Sequence, residues 1–206
     1  MTTKQFLCVF LFSLLVCGSV LAQDASEKST KAESNRPAIA FSLPKAAPAM
    51  VSLHRKMVGN WTTTQRFEKS ALMSRAGSSK GTASVTLGPG GLSVFLEFKA
   101  PRVAGAAGGG TCTAHGVIFG GDPPDENFRE LWCDAATAGG CTLNKVGVGK
   151  FEGDKLVFRG EQEVEGKKMT TQTTYSFAKN SSMVITMEGA TEGGEMKRLM
   201  EVTLTK

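Results

Sequence analysis

Histidine, tyrosine and tryptophan are scarce in this 206-residue sequence, which has two histidines, one tyrosine and two tryptophans. Zinc sites normally use three or four ligands at spacings such as Cys-x-x-Cys or His-Glu-x-x-His, and neither spacing occurs. A Ser93–His115–Asp134 triad can be drawn, but no nucleophile elbow between a strand and a helix is predicted to support it. The sequence therefore predicts no metal, no cofactor and no catalytic residue, and an enzyme is only its third interpretation.

A cluster of positive charge is also missing. The part after residue 22 holds all 19 acidic residues and every basic residue except Lys4, so its formal charge is about +4. Basic residues stand singly or in pairs and are not interleaved with aromatic side chains, whereas a nucleic-acid surface needs a clustered basic face. The sequence therefore predicts no nucleic-acid partner, and it identifies no protein partner.

Long hydrophobic runs are absent except near the N-terminus. Phe6–Val16 is almost unbroken and apolar, follows Lys4, and precedes the small residues that end at Ala22. The run is too short for a bilayer core, which takes about 20 apolar residues. Residues 1–22 are therefore predicted to be a signal peptide cleaved after Ala22, which gives a secreted or periplasmic protein with no membrane segment. A lipid anchor at Cys17 is the less favoured alternative, because Val16 before it is not small.

The chain after this segment divides into two parts. Residues 23–48 contain three prolines, many Ser, Lys, Glu and Ala residues, and few large apolar groups, which is typical of a disordered leader. A short strand at 39–43 is the alternative for its last part. Residues 49–206 have the length of one domain with a substantial core.

The domain is predicted to be all-β after one short helix. Met50, Leu53 and Met57 recur at helical spacing over 49–57, before Gly59. From Trp61 onward the apolar period is two, and Gly-rich or Pro-rich turns separate the segments. The predicted strands begin at Trp61 and continue as 81–87, 92–99, 111–119, 128–133, 141–151, 155–164, 169–178, 183–188 and 197–205. This pattern favours an antiparallel up-and-down barrel of about 8–10 strands, which leaves no open edge. A twisted open sheet and a β-sandwich are the alternatives.

Polar residues share a strand face with large apolar ones. Thr171 and Thr173 alternate with Met169 and Tyr175, and Thr63 alternates with Trp61 in the same way. A dry core penalises such groups unless each finds a hydrogen-bond partner. Two interpretations remain open: a partly wet cavity that holds a small ligand, or a packed interior with local hydrogen bonds.

Four stretches carry a resemblance to a known family. They are Leu53-x-x-x-Met57-Val58-Gly59-Asn60-Trp61, then 114–120 (AHGVIFG), 131–134 (LWCD) and 152–156 (EGDKL). The chain from Leu53 onward resembles a family of secreted bacterial lipocalin-like (calycin-type) domains of unknown function. The resemblance implies a barrel in which Gly59 and Trp61 form the entrance to the first strand. It further implies that a basic residue of the last strand, taken as Arg198, stacks on Trp61. It implies no chemistry.

Three cysteines remain after the predicted cleavage, so one is left unpaired within a monomer. Cys133 and Cys141 end and begin consecutive predicted strands, and an exported compartment is oxidising enough to keep a bond between them. This pairing, with Cys112 as a buried free thiol, is the favoured prediction. The alternative pairing is Cys112–Cys133 across the turn at 122–125.

Two classes of function remain. The first is a non-catalytic exported barrel that binds a small, mostly apolar molecule. The second is a structural or protein-interaction barrel of the cell envelope that has no ligand. The sequence names neither a ligand, a partner nor an oligomeric state.

The signal-peptide prediction has a direct test. N-terminal sequencing of the exported protein should read Gln-Asp-Ala-Ser from Gln23, because the small residues before it form the cleavage site. A mature chain that begins with an acylated Cys17 contradicts this prediction.

Overall fold

The computed structural model describes residues 44–70, 75–101, 110–134, 141, 147–164, 167–178 and 182–206. Within these ranges the chain forms a short α-helix followed by ten strands that close into an antiparallel barrel. The predicted signal peptide, Cys17 and the predicted leader as far as residue 43 lie outside the described residues. None of the described helices combines the length and the apolar character needed to cross a membrane.

Helix α1 precedes the strands. The elements are α1 Pro48–Met57, β1 Gly59–Phe67, β2 Gly77–Leu87, β3 Ser93–Pro101, β4 Thr111–Asp122, β5 Asn127–Asp134, β6 Gly147–Glu152, β7 Lys155–Val164, β8 Lys167–Ala178, β9 Ser182–Thr191 and β10 Lys197–Thr205. A turn of 3₁₀ helix at Pro89–Gly91 connects β2 to β3.

Each strand pairs with its neighbours in the sequence, and β1 pairs with β10 to close the sheet. The closing register runs from Thr62 opposite Thr205 to Phe67 opposite Met200. The predicted up-and-down barrel with one short helix is thereby confirmed. The largest difference from the predicted strands is in β6, which begins at Gly147, while Cys141 forms only an isolated bridge with Cys133. Residues 142–146 lie outside the described part of the chain.

Helix α1 forms where its sequence favours it. Pro48 occupies the first turn, where its missing N–H removes no helical hydrogen bond, and basic residues 54–56 occupy the last turn. Met50, Leu53 and Met57 form its buried face and belong to the same hydrophobic core as the strands. The helix ends before Gly59, whose φ of +143° is a conformation that favours glycine.

The barrel has two different ends. We call the helix end the one where β1 begins at Gly59, and the far end the one where β1 stops at Phe67. The inward side chains of the helix-end half are large, apolar and buried, and with α1 they fill the interior: Trp61, Val85, Val94, Ile118, Phe128, Leu156, Met183 and Leu204. The Lys56 ammonium of α1 lies 4.9 Å from the ring centre of Phe177 and 5.7 Å from that of Phe151. These contacts hold α1 against β6 and β8.

Trp61 joins the helix to the barrel. Its indole Nε1 donates a hydrogen bond of 2.9 Å to the carbonyl oxygen of Met57, and the side chain is 3% exposed. The Lys206 ammonium lies 4.7 Å from the Trp61 ring centre and donates a hydrogen bond of 3.2 Å to the carbonyl oxygen of Val58. A β-carbon at Gly59 would lie only 3.1 Å from Lys206 Cε, so Gly59 makes room for this lysine.

The prediction that Arg198 stacks on Trp61 needs correction, because Lys206 occupies that position. In the antiparallel register of β1 with β10, Arg198 lies beyond the Phe67–Met200 pair, at the opposite end of the strand from Trp61. There the Arg198 guanidinium hydrogen-bonds Glu201 at 2.9 Å and lies 3.9 Å from Glu68. The resemblance implied the correct type of residue, but the strand register selects a different one.

Truncation of Trp61 tests its role in the core. Trp61→Ala should lower the free energy of unfolding by about 3–5 kcal/mol, because it removes a buried aromatic ring and leaves a cavity. Urea denaturation measures the change. Phe119→Ala is the control, because Phe119 is 38% exposed on the outer wall and its truncation should cost far less. Equal stability of the Trp61 variant and wild type would show that the tryptophan does not support the barrel.

Candidate ligand site inside the barrel

The interior of the barrel carries polar side chains among apolar ones. Every second side chain of a strand points to the same side of the sheet, so the buried residues identify the inward face. On β5, Glu130 alternates with buried Phe128. On β8, Thr173 alternates with buried Tyr175, and on β1 Thr63 itself is fully buried.

The inward side chains of the far-end half differ from the buried ones of the helix-end half. Many of them keep partial exposure to solvent: Gln65, Cys112, Glu130, Trp132, Thr171, Thr173, Met187 and Met200. Phe98, Ala100 and Met169 face the same half and are buried. Side chains that point into a closed barrel are exposed only if solvent enters its interior. Solvent therefore reaches part of the far-end half, where the exposed lining mixes aromatic, sulfur-containing, hydroxyl and carboxyl groups.

Glu130 and Tyr175 form a polar pair across this interior. The Tyr175 hydroxyl donates a hydrogen bond to Glu130 Oε1. Tyr175 is on β8 and Glu130 on β5, with β6 and β7 between them in the sheet, so the bond crosses the barrel instead of following a strand ladder. The pair lies next to the apolar half, since the Phe158 ring packs edge-on against Tyr175 with ring centres 5.9 Å apart.

The surroundings of this pair determine its charge state. Burial raises the pKa of Glu130 to about 7, against which the hydrogen bond from Tyr175 acts in the lowering direction. Burial, with the adjacent Glu130 carboxylate, raises the pKa of Tyr175 well above its usual value. The residues directly opposite Glu130 are Ile118 on β4 and Gly147 on β6, and neither carries a charge that could stabilise the ionised Glu130 carboxylate. Near neutral pH the Glu130 carboxyl can therefore either donate or accept a hydrogen bond.

Hydroxyl groups behave in two ways in the interior. Thr171 Oγ1 donates a hydrogen bond of 3.3 Å to the carbonyl oxygen of Gly160, which is the local bonding considered from the sequence. Thr63 Oγ1 is buried and has no hydrogen-bond partner among the residues that the structure describes. An unpaired buried hydroxyl is unfavourable, so a water or a ligand atom at Thr63 would stabilise the barrel. The local hydrogen bonding predicted from the sequence therefore applies to Thr171, whereas the interpretation with a water or ligand inside the barrel applies to Thr63.

Trp132 forms part of the wall toward the far end. Its indole Nε1 donates a hydrogen bond of 3.2 Å to Asp134 Oδ2, and its ring centre lies 5.3 Å from that of Phe98. A β-carbon at Gly116 would approach the Trp132 ring to 2.8 Å. Glycine at this position therefore lets the indole lie close against β4.

The favoured disulfide is present between Cys133 and Cys141, whose Cα atoms are 4.4 Å apart. Cys112 is a free thiol, half-buried rather than buried. The alternative Cys112–Cys133 pairing is excluded because the two side chains lie on opposite faces of the sheet. Cys112 shares the inward side of β4 with Ala114, whereas Cys133 alternates with inward Trp132 and points outward.

The catalytic arrangements considered from the sequence are not assembled. Ser93 pairs with Phe119, four residues along β4 from His115, and Asp134 binds Trp132. Residues 77–81 match Gly-x-Ser-x-Gly, but they lie inside β2 and not on a strand-to-helix turn. Ser79 Oγ there donates a hydrogen bond of 2.8 Å to the carbonyl oxygen of Pro101. No group of three or more His, Cys, Asp or Glu side chains within the described ranges is placed to hold a metal ion.

Sequence reasoning missed Glu130, although a signal for it was available. Phe128, Glu130 and Trp132 alternate along one predicted strand, which places a carboxyl on the face of two large aromatic residues. A carboxyl on an inward face is uncommon unless it has a partner. The partner, Tyr175, is 45 residues away and could not be chosen before the strands were placed.

The raised pKa of Glu130 predicts how stability depends on pH. The folded protein holds this proton up to about pH 7, whereas the unfolded chain releases it near 4.5, so stability falls as the pH rises between these values. The loss is on the order of 2–3 kcal/mol. Glu130→Gln should remove most of it in urea denaturation at about pH 5 and about pH 8. Glu152→Gln, an exposed carboxylate bound to Arg159, is the control that should retain the wild-type difference between the two pH values. An unchanged pH dependence in Glu130→Gln would contradict the prediction.

Comparison with known proteins supports the fold and identifies a family. A crystal structure of Rv2717c from M. tuberculosis is similar at a TM-score of 0.52 and 12% identity, with 79% of this chain and 99% of that chain covered. At this identity the likeness concerns the fold alone. No curated protein matches the sequence. The family model described as "Protein of unknown function (DUF1579)" matches residues 51–206, which includes every strand of the barrel. The chain therefore belongs to this family.

Proposed function

We propose that the protein is exported and that it binds a small, mostly apolar molecule inside its barrel without transforming it. The observation that carries the proposal is the partial exposure of inward side chains in the far-end half, next to the Glu130–Tyr175 pair. Apolar side chains such as Met187 and Trp132 would contact the body of the molecule. Binding sites of this kind combine an apolar lining with a few polar groups that fix orientation.

The polar groups narrow the class of ligand. Glu130 can accept a hydrogen bond when ionised and donate one when protonated, and Thr63 Oγ1 has no partner in the described part of the chain. Burial disfavours a charged ligand unless a counter-charge is present. The ligand is therefore a small molecule with an apolar body and one neutral hydrogen-bonding group.

Export is supported by two independent features. Lys4 followed by the apolar run Phe6–Val16 and the small residues before Gln23 has the pattern of a cleaved signal peptide. The Cys133–Cys141 disulfide fits an oxidising compartment, since such bonds are rare in reducing cytosol. The mature protein would act outside the cytoplasm, in the periplasm or beyond it.

Gly160 offers a way to block the interior. It lies on β7 opposite Thr171, and the nearest atom to a β-carbon placed there is Thr171 Oγ1 at 3.9 Å. A leucine at this position would occupy interior space without displacing the backbone. Thr82→Leu on β2, where the side chain is exposed on the outer wall, is the matched control.

Native mass spectrometry of the purified mature protein tests the proposal. Wild type and Thr82→Leu should carry an additional small molecule, and Gly160→Leu should lose it with little change in melting temperature. Where the ligand is lost on purification, the apolar fluorescent probe N-phenyl-1-naphthylamine should bind wild type at least about tenfold more tightly than Gly160→Leu, because the leucine fills the space that the probe needs. Equal binding of the probe to both proteins, with no co-purifying molecule, overturns the proposal.

The second candidate is a barrel without a ligand that contacts another protein through its outer wall. Apolar side chains exposed on the outer wall favour this candidate. Phe95 on β3 is 40% exposed, Phe119 on β4 is 38% exposed and Val148 on β6 is 41% exposed. Exposed apolar groups in neighbouring rows are common at contact surfaces. The same mass spectra separate the candidates, because this one gives an empty protein in every variant.

A further inference from the structure

Four side chains with redox and acid–base chemistry lie in one row across the outer wall. In the strand registers Glu97 on β3 is directly opposite His115 on β4, and His115 is opposite Cys133 on β5. Cys133 is in turn opposite Cys141 and bonded to it. Neighbours directly opposite each other have β-carbons about 4.5–5.5 Å apart, so each member of the row can contact the next.

All four members of the row point away from the barrel interior. His115 alternates with buried Ala114 and Gly116 and is exposed, and Cys133 alternates with the inward pair Glu130 and Trp132. Cys141 is exposed, whereas Cys133 is half-buried. A thiol compound in solution can therefore approach the Cys141 sulfur more easily than the Cys133 sulfur.

Within the described ranges, the charged groups around His115 come from β3. Lys99, 2.6 Å from Glu97, lowers the pKa of Glu97 by a hydrogen bond and by its charge, and His115 adds a smaller contribution in the same direction. Asp134 on β5 follows Cys133, but its carboxylate binds the Trp132 indole. Glu97 is thus the carboxylate that faces the imidazole on the outer wall.

We propose that the row Glu97–His115–Cys133–Cys141 is a thiol–disulfide exchange site, which oxidises thiols of small molecules or of other proteins. His115 stabilises the sulfur of Cys133 as it leaves, and Glu97 positions His115. Cys112 takes no part, because it faces the other side of the sheet.

The reaction conserves atoms and electrons. The thiolate of the reductant attacks Sγ of Cys141, the Cys133–Cys141 bond breaks, and Cys133 leaves as a thiolate beside His115. A second thiolate of the reductant then attacks the reductant sulfur that is bonded to Cys141 in the mixed disulfide. Cys141 leaves, which yields the oxidised reductant and two protein thiols. Two electrons and two protons pass to the protein, and the imidazole can deliver one of these protons to Cys133. A leaving thiol of lower pKa leaves faster, so a cationic neighbour accelerates the first step.

The test follows reduction of the disulfide in the mature protein by glutathione. The bond should equilibrate with mixtures of reduced and oxidised glutathione, whereas a purely structural disulfide resists reduction by them. Alkylation of the released thiols, followed by mass spectrometry, measures the reduced fraction. A second arm replaces glutathione with a reduced, unfolded test protein, and it separates small thiols from protein thiols as the source.

The role of His115 is tested through the pH dependence of the rate. His115→Gln should slow reduction by about threefold or more, because the Cys133 sulfur is a poorer leaving group without a cationic neighbour. The slowing should be larger at about pH 6 than at about pH 8, because only a protonated imidazole offers positive charge to the leaving sulfur. A merely structural role would change the rate equally at both pH values. Glu97→Gln should act in the same direction and less strongly.

Controls separate chemistry from folding. His115 and the Glu97 carboxylate lie on the outer surface, so His115→Gln and Glu97→Gln should have the melting temperature of the wild type. Glu152→Gln, another exposed carboxylate of the outer wall, hydrogen-bonds Arg159 on the neighbouring strand and should leave the rate unchanged. A bond that resists every glutathione mixture, or a His115→Gln variant as fast as wild type at both pH values, overturns the proposal.

Discussion

Pairing of β1 with β10 is the constraint on which the structure depends. Once the sheet closes, each strand has an inner and an outer face, and a residue's position in the period of two decides which environment it meets. Glu130 and Cys133 are three residues apart on β5, and the closed sheet places one in the interior and the other on the outer wall. Two unrelated kinds of chemistry can therefore share a single strand.

Packing then divides the interior. Helix α1 and the large apolar side chains fill the helix end, and Lys56 holds the helix to the rings of Phe151 and Phe177. The far-end half mixes polar inward groups with apolar ones, and many of them are partly exposed. Because the closed half supplies the hydrophobic stabilisation, the interior beside it can carry a carboxyl of raised pKa.

Local signals in the sequence were sufficient for the elements but not for their contacts. The helical spacing of Met50, Leu53 and Met57 and the alternation from Trp61 onward predicted the helix and the barrel, because both periods follow from backbone geometry alone. The choice between Arg198 and Lys206 depended on the register of β1 with β10, which no local pattern determines. The Glu130–Tyr175 pair joins residues 45 positions apart, and the row from Glu97 to Cys133 depends on the registers of β3, β4 and β5. The Cys133–Cys141 bond was predictable because its partners are only 8 residues apart.

The filled helix end also fixes the direction in which the interior can be entered. A molecule that reaches Glu130 and Tyr175 comes from the far end, and it meets Phe158 and the packed half directly behind them. Its leading end is the one that meets the carboxyl and the phenol, while its trailing end remains among side chains such as Met187 and Met200 near solvent. Under the proposed function, such a molecule would enter with its hydrogen-bonding group first and leave by the same route.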